Sequence, residues 1–122
     1  MSQTHQIALP FPPSVNGYWR AYQGRNILSK RGREYRKRAV IDIQAHGLAM
    51  ARLSGRLEVS LDLHPPDARR RDADNYCKGV LDALTHAGVW GDDEQIDRLH
   101  ILKCPRDKDN PRVVVTISEI RA

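Results

Sequence analysis

Apolar and polar side chains alternate without a break through Leu57-Glu58-Val59-Ser60-Leu61-Asp62-Leu63. A period of two predicts a strand with one buried and one wet face, ended by His64-Pro65-Pro66 because proline lacks the ladder donor. Ile96–Lys103 and residues 112–120 predict two more strands, joined by the polar turn at 105–111. Ile7 and Leu9 mark a short strand that stops at Pro10. Two other segments repeat at helical spacing. Tyr35, Ala39, Ile43, Gly47 and Met50 form one apolar stripe, which predicts a long core-facing helix from the N-cap Ser29 to about Met50. Tyr76, Cys77, Val80, Leu81 and Leu84 form another, on a helix from about Asp72 or Ala73 to His86, with Gly88 as its stop. Asp74, Lys78 and Asp82 lie on the other face of that helix. Residues 10–17 read as loop, 18–22 and 25–28 as a hairpin around Gln23-Gly24, and 67–71 as a charged loop.

The chain has 122 residues, one domain's length, with no internal repeat, low-complexity tract or linker, so residues 1–122 read as one domain. Strands and helices mixed in this order predict a small α+β (α/β-like) fold, a mixed sheet with two helices. No run approaches the ~18 apolar residues of a spanning helix. Met1-Ser2-Gln3-Thr4-His5 lacks the basic and apolar regions of a secretory signal. Cys77 and Cys104 form no CxxC pair, which argues against a disulfide scaffold or a zinc finger. The expectation is a cytoplasmic protein with reduced thiols and no membrane partner.

Charge changes the picture. Twenty Lys and Arg against fifteen Asp and Glu leave a net charge of +5, which suits a polyanion, nucleic acid first. Arginine outnumbers lysine fifteen to five, and its planar fork matches phosphate oxygens. Yet eight of the eleven aspartates fall between Asp62 and Asp97. A basic protein that gathers its acids in one segment needs a reason for doing so.

That reason centres on Arg69-Arg70-Arg71-Asp72-Ala73-Asp74-Asn75-Tyr76-Cys77-Lys78. Asp72 and Asp74 stand at a strand–loop–helix junction, where a bend lets both point into one cleft. Asp92-Asp93-Glu94 supplies a second acidic loop. Two acidic loops repel unless a cation lies between them, and carboxylates are ligands for hard cations such as Mg²⁺. Simpler roles stay open at this level: Asp72 as a helix cap, Asp74 paired with Lys78, and Asp92-Asp93 as turn residues. Arg69, Arg70 and Arg71 beside the acids suit a phosphodiester, and Lys78 can offset charge on its phosphoryl group. A second basic cluster, Lys30-Arg31-Gly32-Arg33-Glu34-Tyr35-Arg36-Lys37-Arg38, opens the first long helix, where cations oppose the dipole; phosphate contact by Lys30, Arg31, Arg33, Arg36 and Lys37 is the functional reading and a solvated face the plain one.

These residues resemble those of the RusA-type Holliday junction resolvases. The likeness covers the proline-rich opening from Leu9 to Asn16 with Tyr18 and Arg20. It then covers Arg70-Arg71-Asp72-Ala73-Asp74-Asn75, Lys78, Leu81-Asp82-Ala83-Leu84, Gly88-Val89-Trp90 and Asp92-Asp93. The resemblance implies a RusA-like fold and a homodimeric, Mg²⁺-dependent crossover junction endodeoxyribonuclease, with Mn²⁺ able to substitute. It implies paired, symmetric cuts in four-way junction DNA during bacterial or phage recombination and repair. It also implies that Asp72, Asp74 and Asp93 are catalytic metal ligands and Lys78 an essential lysine. Arg71 would be a basic residue beside the site, and Asp92 and Asn75 supporting groups. Tyr18, Trp19 and Tyr22 are read either as wedges into unstacked bases or as an apolar lid, and Trp90 as core. Two rivals remain: a non-catalytic nucleic-acid-binding module and a small-molecule phosphohydrolase.

Overall fold

A computed structural model describes residues 4–120, so the reading of Met1, Ser2 and Gln3 lies outside the described residues. The elements are β1 (Thr4–Pro10), α1 (Val15–Tyr18), β2 (Trp19–Tyr22), β3 (Arg25–Leu28), α2 (Lys30–Ala45) and β4 (Leu57–His64). A 3₁₀ turn (Ala73–Tyr76), α3 (Lys78–His86), a second 3₁₀ turn (Asp93–Gln95), β5 (Ile96–Lys103) and β6 (Arg112–Glu119) complete them. The main sheet has the order β1-β6-β4-β5. β6 is antiparallel to both β1 and β4, whereas β4 and β5 are parallel. A parallel pair needs a crossover. Here the crossover carries both 3₁₀ turns and α3, so the two acidic segments belong to one βαβ connection. β2 and β3 pair as a separate hairpin.

The alternation seen in the sequence becomes one face of the sheet. Leu57, Val59, Leu61 and Leu63 are buried beside Val113, Val115 and Ile117 of β6 and Ile7 and Leu9 of β1. They belong to one core with Tyr35, Ala39 and Ile43 of α2 and Val80, Leu81, Ala83 and Leu84 of α3. Each such aliphatic side chain contributes about 1.5–3 kcal/mol when fully buried. No helix is long and apolar enough to cross a membrane among the described residues.

Three local expectations are corrected. α2 ends at Ala45 rather than near Met50. Gly47 adopts φ +85, the Gly47 N–H donates to the Gln44 carbonyl and the Leu48 N–H to the Ile43 carbonyl, which closes a Schellman motif. Gly47 is therefore exposed and Met50 58% exposed, while Leu48 fills the core position. The second helix is broken into the 3₁₀ turn and α3, and the tighter turn carries Tyr76 onto Phe11, with ring centroids 5.4 Å apart. Within 10–17, Val15–Tyr18 forms a single helical turn because the Ser14 hydroxyl accepts the Gly17 N–H. Gly88 stops α3 as predicted, at φ +78 with the same Schellman pairing.

Candidate active site

Asp72 and Asp74 sit where the chain leaves the loop after β4 and enters the first 3₁₀ turn, and both are exposed. Neither capping nor pairing occupies them. The Asp72 side chain makes no cap hydrogen bond, and neither carboxylate has a hydrogen-bond or ion-pair partner among the described residues. Lys78 is exposed at the first residue of α3 and is paired with neither Asp74 nor Asp82. Asp82, expected on the same outer face, turns instead toward α2: Arg36 donates to it through Nε at 3.0 Å and Nη2 at 2.9 Å, and the buried Tyr18 hydroxyl donates to the same oxygen. Asn75 is half-buried on the turn, its N–H bonded to the Asp72 carbonyl.

The second acidic loop separates into three roles. Asp92 is an N-cap in a capping box with Gln95, accepting the Glu94 N–H at 2.9 Å. Glu94 is held by Arg56, which also grips Asp97 at 2.6 Å. The Gln95 amide bonds the Leu53 and Gly55 carbonyls, tying this loop to the chain before β4. Asp93 alone turns toward α3, where Thr85 and Trp90 hold one of its oxygens. Sequence reading did not find Thr85, Arg56 or Gln95. Trp90 is core, as expected, and a buried indole N–H must find an acceptor, which was the available signal.

Cys77 stands between the first 3₁₀ turn and α3, next to Lys78. Burial pushes its thiol up from the ordinary value; Asp74 and Asp93 push the same way, while Lys78 opposes them. Asp74 and Lys78 flank this cysteine in the chain, and Asp93 follows on the loop after α3. Asp72 adjoins Asp74 through the 3₁₀ turn.

The arginines are divided. Arg69 and Arg70 are exposed, but the Arg71 side chain is only 11% exposed. Arg71 pairs with Asp67 at 2.8 Å and lies over the rings of Phe11 and Tyr76, at 5.5 and 5.9 Å from their centroids. That pairing holds the Asp67 carboxyl below the usual carboxylate range. Arg71 thus braces the turn that carries the acids. Of the α2 cluster, Lys30, Arg31, Arg33 and Lys37 are exposed; Arg33 donates to the Leu28 carbonyl, and Arg36 is committed to Asp82. Arg31 and Arg38 line a cleft of about 530 Å³ together with Arg69, Phe11 and Tyr76. This cleft brings members of both basic clusters to one place. Tyr18 is buried, and Tyr22 is exposed at the end of β2 with the Arg20 guanidinium 5.4 Å from its ring centroid.

The chemistry of the donors fits a hard divalent cation: three carboxylates, two of them without a partner among the described residues, and no nitrogen or sulfur ligand required. Their placement is looser than that chemistry. Among the described residues no three His, Cys, Asp or Glu side chains are grouped closely enough to hold a metal ion.

A family model described as endodeoxyribonuclease RusA matches residues 10–118. The chain is 41% identical to the crossover junction endodeoxyribonuclease RusA of Escherichia coli (strain K12) over 124 residues, spanning 96% of both chains. The protein of the same name from Shigella sonnei (strain Ss046) is likewise 41% identical, and that of Enterobacteria phage 82 is 40% identical, both with the same coverage. A match of the family model over residues 10–118, with relatives 41% identical over 96% of the chain, places the chain in the RusA family of endodeoxyribonucleases.

Proposed function

We propose that this protein is a divalent-cation-dependent crossover junction endodeoxyribonuclease that hydrolyses phosphodiester bonds in four-way (Holliday) junction DNA. The site assignment is supported above all by the paired Asp72 and Asp74, which no cap or ion pair engages among the described residues, on the same βαβ crossover that carries Lys78 and Asp93. In this reading Asp72, Asp74 and Asp93 would hold Mg²⁺, for which Mn²⁺ would substitute, and the ion when bound would supply Lewis-acid polarisation of the scissile phosphate and a water of lowered pKa. Lys78 and the exposed Arg70 offset the charge gathering on the phosphate oxygens. Asp92 fixes the backbone that presents Asp93, and Arg71 and Asn75 steady the turn that presents Asp72 and Asp74.

Phosphates of a junction arm lie along the cleft edged by Arg31, Arg38 and Arg69, and Lys30, Arg33 and Lys37 extend the positive surface along α2. Two symmetric cuts need two sites related by a twofold axis, so the active species is a homodimer. Junctions arise in bacterial or phage recombination and repair, so in this reading the protein acts in the cytoplasm of a bacterial cell.

The deciding experiment compares an immobile four-way junction with a linear duplex of the same sequence in Mg²⁺. Cutting confined to the junction is expected, and Asp74→Asn should bind the junction while failing to cut it. Equal cutting of the duplex, or full cutting by Asp74→Asn, overturns the reading. Binding without any cutting would favour a non-catalytic module.

A further inference from the structure

We infer that Thr85 is a positioning residue for the Asp93 carboxylate, an inference that rests on the metal-ligand role proposed for Asp93. Three side chains close a small network at the C-terminal end of α3. The Trp90 indole N–H, with its residue only 1% exposed, donates to Thr85 Oγ1 at 2.7 Å and to Asp93 Oδ1 at 3.2 Å. The Thr85 hydroxyl donates to Asp93 Oδ1.

The proton order in this network has one solution. An indole nitrogen donates and never accepts, so the hydroxyl oxygen receives the indole proton and its own proton goes to the carboxylate. Asp93 Oδ1 then accepts from two donors, and Oδ2 has no hydrogen-bond partner among the described residues. A carboxylate pinned through one oxygen presents the other in a narrow range of directions. Support of this kind for a metal ligand changes affinity about 10–100-fold when removed.

The backbone of the same loop is secured independently. Asp92 and Gln95 form the capping box, and Arg56 clamps Glu94 and Asp97. Loss of the Thr85 hydroxyl should therefore release the Asp93 side chain while leaving the 3₁₀ turn in place. That separates a positioning role from a merely structural one.

The test uses Thr85→Val, which keeps the shape and removes the hydroxyl, and Thr85→Ser, which keeps the hydroxyl. Mn²⁺ binding to the whole protein is read from the electron spin resonance of the free ion. The Mg²⁺ requirement is read from junction cleavage, and metal-free junction affinity is measured in EDTA. Thr85→Val should weaken Mn²⁺ binding and raise half-saturating Mg²⁺ about tenfold or more. Thr85→Ser should restore both, and affinity in EDTA should stay within about twofold of the parent. If Thr85→Val does not fold, Thr85→Ala removes the same hydroxyl with no added bulk and reads the same quantities. A parental Mn²⁺ titration in a folded variant without the hydroxyl overturns the inference. Asp93→Asn tells the two failures apart. If it binds Mn²⁺ and cuts like the parent, the metal assignment falls first and takes this inference with it. If it is inactive while Thr85→Val titrates normally, only the role of Thr85 falls.

Discussion

Arg36 and Asp82 join two helices through one oxygen: both guanidinium hydrogen bonds converge on Asp82 Oδ2, which also accepts the Tyr18 hydroxyl proton. The pair is about a quarter exposed on each side, at 27% and 23%. Removing the carboxylate leaves a partly buried cation and an orphaned phenol. Asp82→Ala should therefore cost about 3 kcal/mol in a urea melt, and Asp82→Asn, which keeps an acceptor, less. A loss below about 1 kcal/mol for Asp82→Ala would show that the junction of α1, α2 and α3 is held by packing alone.

The basic residues of α2 should divide in DNA binding as they divide in the structure. Arg31→Gln should make the dependence of log K on log salt shallower by about 0.9 for each phosphate that is no longer neutralised. Arg69→Gln should act in the same way. Arg36→Gln should lower the melting temperature and leave that slope unchanged, since its charge is already committed to Asp82. Junction binding measured at several salt concentrations checks all three variants together.

The alkaline limb of stability should be set by two phenols. Burial, reinforced by the Asp82 carboxylate, pushes Tyr18 well above the ordinary tyrosine value, and burial does the same to Tyr35. The folded state thus keeps protons that the unfolded state releases from about pH 10. The stability they confer is fully present below that pH and is lost as pH rises beyond it. Of the four tyrosines, these two should develop tyrosinate absorbance only in step with the loss of circular dichroism. Ionisation of all four before unfolding would contradict the packing of Tyr18.

Gly47 and Gly88 hold the same left-handed conformation in different surroundings. A Cβ at Gly47 meets nothing within 4 Å, whereas one at Gly88 would stand 2.7 Å from Met50 Sδ and 3.2 Å from Met50 Cα. Gly47→Ala should cost about 1 kcal/mol, the conformational penalty alone. Gly88→Ala should cost about 2–4 kcal/mol, because overpacking adds to that penalty. Equal losses in denaturant melts would show that Met50 yields freely.

The same two glycines show how much of the fold is legible in the chain. The stop at Gly88 is legible because the apolar stripe ends there. Gly47 lies inside a stripe that continues to Met50, and periodicity outweighs the glycine. β4 is legible because alternation survives wherever one sheet face is buried. The candidate site is legible by residue type at Asp72, Asp74 and Lys78, whose neighbours are local. It is not legible within Asp92-Asp93-Glu94, since what distinguishes these acids comes from Arg56, Thr85 and Trp90 elsewhere in the chain. Arg36 and Arg71 read as phosphate binders for a related reason. Asp82, the partner of Arg36, is remote in sequence, and the aromatic rings flanking Arg71 come partly from the N-terminal loop.

The stacking of Arg71 on Phe11 has a consequence for any shortened form of the protein. The segment through Phe11 holds no acid, yet it props the bend on which Asp72 and Asp74 stand. A chain cut back past Pro13 would retain every carboxylate and lose the strut beneath two of them. Such a fragment should fail as a nuclease while still carrying its full complement of acids.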